Sequence, residues 1–136
     1  MGDRINFIFK QTDSPVDNTD DFQGIVLYSH WGGEARYNDL KAALKLAEGY
    51  WHDESYSTRI MVQYLLNTLP SQTMGGGLAA YKPNWGVRGY DEDHAPLVID
   101  LKNKKVVDYS VDVAWAFEGF INLDFTNNDI VSIKEQ

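Results

Sequence analysis

A strand-like run at residues 24–31, which two glycines separate from a helical pattern, constrains the fold of this chain more than any other feature. The first half of the run is apolar at consecutive positions, and a strand of that kind needs cover on both faces. We therefore predict that it lies in the interior of a sheet. Gly32 and Gly33 end the run, and from Arg36 the apolar residues recur at the spacing of an amphipathic helix. The chain must then combine a sheet with helices that cover it.

Two consecutive helices are predicted after the glycines. The apolar stripe of the first helix consists of Tyr37, Leu40, Leu44 and Ala47. Gly49 follows at a position where a residue of left-handed conformation often ends a helix. Asp53 or Ser55 can cap the second helix, and Pro70 closes that segment. The apolar stripe of the second helix consists of Tyr56, Ile60, Met61, Tyr64 and Leu65.

Strand patterns precede and follow this helical pair. A first strand is predicted at residues 5–9, and Asn103 marks the turn of a later hairpin. The strands expected after the helices are 78–81, 97–101, 105–109, 121–125 and 130–133, whereas 113–120 fits either a short helix or a strand. We predict a single α+β domain over residues 1–136. Its sheet is mostly antiparallel, two helices pack on one face, and the order is β-β-α-α-β-β-β, with three to five strands after the helices.

Charge and composition exclude several classes of function. Twelve Lys and Arg against 20 Asp and Glu give a net charge of −8, which argues against a general nucleic-acid binder because phosphate neutralisation needs a basic face. The chain has no cysteine, so disulfides, thiolate metal sites and cysteine nucleophiles are excluded. Its apolar runs are far shorter than the roughly 20 residues that span a bilayer, and its first residues lack a signal-peptide pattern. We expect a cytoplasmic protein with no membrane contact and no cofactor.

The end of the strand-like run is the first candidate site. Ser29 and His30 resemble a nucleophile beside a base, but adjacent strand residues point to opposite faces, which argues against that pairing. Backbone N–H groups at Gly32 and Gly33 can hold an anion at the turn before the helix. His30 and Trp31 would then line a ligand pocket. The alternative is that His30 is a hydrogen-bonded histidine at the end of the sheet.

Arg59, near the start of the second predicted helix, is the second candidate. If its side chain faces the end of the central strand, the guanidinium can anchor a phosphate or carboxylate through two parallel hydrogen bonds. The alternative is an ordinary charge on the solvent face of the helix.

An aromatic and glycine-rich loop at residues 81–90 is the third candidate. Trp85 and Tyr90 offer stacking surfaces and Arg88 a strong cation, so the loop can close over a planar ligand such as a nucleobase. The alternative is that these aromatic residues pack against the domain. The acidic segment at 91–94 follows directly. Four consecutive residues cannot all face one ion, and they match neither an EF-hand nor a His-Glu-x-x-His pattern, so the segment is interpreted as a solvated loop.

Two motifs resemble a family of small uncharacterised bacteriophage and bacterial proteins. The first motif is LYSHWGG at residues 27–33, and the second is the Trp-x-Asp-x-x-Tyr-x-x-Arg pattern that begins at Trp51. The resemblance covers about residues 5–66, and more loosely 92–100. It implies a phage or accessory-gene setting, and hence the host cytoplasm, where small proteins often bind host proteins or sequester nucleotide signals. It implies no particular reaction.

These observations lead to three hypotheses about function. The first is a protein that binds or sequesters a small anionic, nucleotide-like ligand. Its site would consist of His30, Trp31, Gly32, Gly33, Arg59, Trp85, Arg88 and Tyr90. The second is an acidic protein–protein interaction module that acts on a host protein. The third is a metal-dependent hydrolase that uses His30, His52 or His94, which is not favoured because no spacing of ligands or catalytic residues supports it.

Overall fold

A computed structural model describes residues 4–11, 24–29, 35–68, 76–80, 94–108, 110–126 and 129–130. The strands are β1 (Ile5–Lys10), β2 (Gly24–Ser29), β3 (Gly76–Ala80), β4 (Leu97–Asp100), β5 (Lys105–Asp108), β6 (Val113–Ala116), β7 (Phe125–Thr126) and β8 (Asp129–Ile130). The helices are α1 (Arg36–Leu46), α2 (Glu54–Thr68) and α3 (Phe117–Ile121), and a 3-10 turn lies at Glu48–Tyr50.

The first six strands form one sheet in the order β3-β2-β1-β4-β5-β6. Strand β1 pairs antiparallel with β2 and parallel with β4, and every other neighbouring pair in this sheet is antiparallel. Strands β7 and β8 form a separate antiparallel hairpin. The predicted α+β class and the mostly antiparallel sheet are confirmed.

Both long helices cover the same face of the sheet. Alternate residues of β1 (Ile5, Phe7 and Phe9) point to that face and join one buried apolar cluster with the inner faces of α1 and α2. The helical members of this cluster are Tyr37, Leu40, Ala43, Leu44, Ala47, Met61 and Leu65. The predicted apolar stripe of α1 is thus confirmed.

Strand β1, rather than β2, is the strand that is buried along its whole length. Strand β2 does lie in the interior of the sheet, between β1 and β3, as its apolar run predicts. The polar residues Asn6 and Lys10 give β1 the pattern of a half-exposed strand, yet both are buried. The Nζ of Lys10 lies 3.5 Å from the Oδ2 of Asp100 on β4, so an ion pair compensates the buried charge.

Two details of the helices differ from the prediction. Helix α2 buries Ser57, Thr58, Met61 and Leu65, and this phase turns the ring of Tyr56 outward, so the prediction that Tyr56 belongs to the apolar stripe is wrong. Gly49 lies within the 3-10 turn and does not have a positive φ. The prediction of a left-handed cap there is also wrong, because the 3-10 turn continues the chain directly from α1.

The segment at 113–120 contains both of the structures that its sequence allows. Residues Val113–Ala116 form β6 and Phe117–Ile121 form α3, so Ile121 is helical rather than the start of a strand. A hairpin does follow, as predicted, but it is limited to β7 and β8. No helix in the described ranges is both long and apolar enough to cross a membrane.

Candidate functional site

Side-chain hydrogen bonds fix the first turn of α2. The Asp53 Oδ1 accepts a hydrogen bond of 2.9 Å from the backbone N–H of Tyr56, which makes Asp53 the N-cap. The hydroxyl of Thr58 donates to the carbonyl of Glu54 at 2.6 Å. The Nε2 of Gln11, just after β1, donates to that carbonyl at 3.3 Å and to the Thr58 Oγ1 at 3.0 Å. These hydrogen bonds therefore hold the start of α2 beside the C-terminal end of β1.

An open groove of about 340 Å³ lies between the end of α1 and the exposed side of α2. It is lined by Leu46, Arg59, Ile60, Gln63, Tyr64 and Asn67. The five residues from α2 share one face of that helix, because they recur at intervals of about one turn. Leu46 contributes the other wall and is 60% exposed. We call this feature the α1–α2 groove.

The α1–α2 groove combines an apolar floor with a cation. Ile60 and Tyr64 are half-buried and pack against the main core. Arg59 is the only charged side chain among the described residues that line the groove. The chain as a whole has a net charge of −8, whereas the one charge of this lining is positive.

The guanidinium of Arg59 is held in place by two neighbours on its own helix. Its Nη1 donates a hydrogen bond of 2.9 Å to the Oε1 of Gln63. Its Cζ lies 5.0 Å from the ring centroid of Tyr56, within the range of a cation–π contact. The ring of Tyr56 lies in turn 4.6 Å from that of Tyr50, at an angle of 58° between the planes. These contacts reduce the freedom that Arg59 would lose on binding an anion.

The structure separates Arg59 from the end of β2. Ser29, the last residue of β2, pairs with Ile5 at the start of β1. The first turns of α2 instead lie beside Gln11, after the end of β1. At about 3.4 Å per residue, the six residues of β1 span roughly 17 Å, and this length separates Ser29 from the first turns of α2. The surroundings of Arg59 are thus the α1–α2 groove.

The remaining predicted site residues lie outside the described residues. They are His30, Trp31, Gly32, Gly33, Trp85, Arg88 and Tyr90. Sequence reasoning missed the residues that accompany Arg59, namely Leu46, Gln63 and Asn67 in the groove and Tyr50 beside it. One signal was available: Leu46 falls outside the apolar stripe of α1, which leaves a large aliphatic side chain on the outer face of that helix.

A second polar cluster joins the start of α1 to the end of β5. The hydroxyl of Tyr37 donates to the Oδ2 of Asp108 at 2.5 Å, while the backbone N–H and the hydroxyl of Ser110 donate to its Oδ1 at 2.9 and 2.6 Å. Burial and the hydrogen bond to Asp108 raise the pKa of Tyr37. Because the buried Asp108 accepts three hydrogen bonds, we assign this cluster to stability rather than to proton transfer.

The two described histidines, His52 and His94, lie near opposite ends of β1. The backbone N–H of His94 donates to the carbonyl of Arg4 at 3.2 Å, beside the start of β1. His52 precedes α2, whose first turn lies beside Gln11, after the end of β1. Within the described ranges, no group of three or more His, Asp or Glu side chains is placed to hold a metal ion.

Comparison of the chain with protein-family models, with curated proteins and with solved structures gives no match. The resemblance to small bacteriophage and bacterial proteins therefore stays a prediction from the two motifs.

Proposed function

We propose that the protein binds a small amphipathic anion in the α1–α2 groove. The observation that carries the proposal is that Arg59 is the only charged residue among the described lining residues, in a chain of net charge −8. The groove volume of about 340 Å³ falls within the roughly 300–1,000 Å³ of ligand sites. Both features favour a compact ligand over a polymer.

The lining residues offer the ligand two kinds of contact, one with a charged group and one with apolar side chains. A guanidinium carries five N–H donors, and Arg59 uses one of them on Gln63, so donors remain for two oxygen atoms of a phosphate or carboxylate. Leu46, Ile60 and Tyr64 offer apolar surface to the rest of the ligand. Asn67 lies two turns along α2, about 12 Å from Arg59, and this distance limits the length of the ligand.

The overall charge restricts the ligand further. A polyanion that reaches Arg59 must also approach a molecule with eight excess negative charges, and this repulsion grows with each charge on the ligand. An anion of one or two charges gains most of the contact with Arg59 and less of the repulsion. We therefore expect monophosphates and carboxylates to bind more tightly than triphosphates or oligonucleotides.

Isothermal titration calorimetry with alkyl phosphates, aryl phosphates, nucleoside monophosphates and carboxylates tests the proposal. Loss of a charged hydrogen bond costs about 1.5–3 kcal/mol, so Arg59→Gln should weaken binding roughly 10- to 100-fold. The matched control is Lys102→Gln, which removes the same charge from an exposed turn between β4 and β5 and should change affinity less than twofold. Arg59→Lys should fall between them, because it keeps the charge and loses the planar fork.

Two results would overturn the proposal. One is the absence of binding across the whole panel, which would favour the alternative of a protein-interaction module. The other is equal loss of affinity in Arg59→Gln and Lys102→Gln, because binding would then depend on net charge rather than on the groove.

A further inference from the structure

Two exposed tyrosines adjoin the α1–α2 groove. Tyr50 ends the 3-10 turn and is 45% exposed, and Tyr56 lies in the first turn of α2 and is 43% exposed. Their ring centroids are 4.6 Å apart and their planes meet at 58°, so the two rings touch at an angle and form one aromatic patch, which we call the tyrosine ledge. Large apolar surface left in water is a feature of binding sites when it is contiguous, and tyrosine is enriched at such sites.

Arg59 connects the tyrosine ledge to the groove. Its guanidinium lies 5.0 Å from the ring centroid of Tyr56 on one side, and its side chain lines the groove together with Gln63 on the other. Ledge, cation and groove therefore follow one another along the exposed side of α2. A ligand whose anionic group binds Arg59 has the ledge within reach of the atoms next to that group.

We propose that the ligand carries a planar ring that stacks on the tyrosine ledge beside the anionic group held by Arg59. This inference rests on the function proposed above and makes it more specific. The ligand class is an aryl or nucleobase compound with one phosphate or carboxylate, rather than an aliphatic anion. Aromatic stacking accounts for the selectivity, because a saturated ring of equal size lacks the π face that tyrosine and arginine recognise.

Acidic residues near the ledge set an upper limit on the charge of the ligand. Glu48 precedes Tyr50 by two residues in the same 3-10 turn, and Asp53 caps the helix that carries Tyr56. A second or third phosphate would add negative charge to a ligand that binds beside these two carboxylates. The ledge therefore favours a monophosphate over the triphosphate of the same ring.

The test compares phenyl phosphate with cyclohexyl phosphate, which have the same charge and similar size and differ in ring planarity. We expect the intact protein to bind phenyl phosphate at least about fivefold more tightly by calorimetry. Tyr50→Leu should bring that ratio close to one, mainly by weakening the binding of phenyl phosphate, because Tyr50 lies beside the ring of Tyr56. Tyr56→Leu should weaken both ligands, since it also removes the cation–π contact. The control is Leu66→Ala, at an exposed position of α2 outside the groove lining, which should leave the ratio as it is.

The outcomes separate the two proposals. If cyclohexyl phosphate binds as tightly as phenyl phosphate, and binding depends on Arg59, the ledge inference is wrong and the groove proposal stands. If neither compound binds, the ledge inference is wrong, and the groove proposal then depends on whether any other compound of the calorimetry panel binds. A ratio that survives in the folded Tyr50→Leu and Tyr56→Leu variants, checked by circular dichroism, would also overturn the inference.

Discussion

Gly24, the first residue of β2, lies very close to the backbone of Phe9 on β1. A Cβ atom added there would lie 1.8 Å from the backbone carbonyl oxygen of Phe9 and 2.9 Å from its carbonyl carbon. Gly24 also has a φ of +156°, which L side chains rarely adopt. Gly24→Ala therefore challenges the pairing of β1 with β2 at its last register pair, Lys10 with Gly24.

The geometry sets the size of the effect. Cβ contacts below 3.0 Å are essentially not found, so an alanine at Gly24 requires the strands to separate by about 1.2 Å at this point. We expect backbone strain of about 1–3 kcal/mol and the weakening of a ladder hydrogen bond worth about 1 kcal/mol. Gly24→Ala should then lower the free energy of unfolding by about 2–4 kcal/mol.

Urea denaturation followed by tryptophan fluorescence measures this change, with the thermal midpoint as a second readout. The matched control is Gly77→Ala on β3, where the added Cβ would lie 2.6 Å from the hydroxyl of Tyr28, the far end of a side chain that can rotate away. We expect the control to cost less than Gly24→Ala, because the end of a side chain can shift where a backbone carbonyl cannot. If the free energy of unfolding of Gly24→Ala lies within about 0.5 kcal/mol of that of the intact protein, the close approach of Phe9 to Gly24 is wrong.

Three further substitutions test other parts of the structure. Gly49→Ala should leave the protein unchanged or stabilise it by about 0.4–1 kcal/mol in urea denaturation, because a Cβ there meets no atom within 4 Å; clear destabilisation would contradict this. Tyr37→Phe should cost about 1–3 kcal/mol, because it removes a donor from the buried Asp108. The raised pKa of Tyr37 means that the intact protein loses stability as the pH rises above 10.0, the ordinary value, and the variant should lack this part of the alkaline loss. Burial raises the pKa of Asp39 above 3.8, so its contribution to stability is present below pH 3.8 and is lost as the pH rises through the raised pKa. The stability of Asp39→Asn relative to the intact protein should therefore improve between acidic and neutral pH, and a constant difference would refute this.

Local patterns predict much of the fold because they reflect burial at single elements. The helical spacing from Arg36 onward and the hairpin around Asn103 depend on neighbouring residues, and the structure contains both. Burial of Lys10 depends instead on Asp100, 90 residues away, and no local pattern indicates that ion pair. The local sequence pattern of β1 therefore predicts less burial than the strand has in the structure.

The candidate site was less accessible to sequence reasoning because it lies between elements. The residue type of Arg59 and its position near a helix start predict an anion contact. The groove beside it requires the end of α1 to meet the middle of α2, and this contact depends on the packing angle of the two helices. Tyr56 was assigned to the core because its spacing fits a stripe with Ile60 and Tyr64, whereas the structure leaves it 43% exposed.

The parallel pairing of β1 with β4 determines the order in which this sheet can assemble. Phe7 pairs with Leu27 across a separation of 20 residues and with Leu97 across a separation of 90. Loop closure over the longer distance costs about 1.3 kcal/mol more, so the β1–β2 hairpin should form first. During synthesis, the side of β1 that pairs with β4 stays without its partner strand until residues 97–100 have been made. An apolar strand edge that stays open for so long is a point at which another unfinished chain can attach.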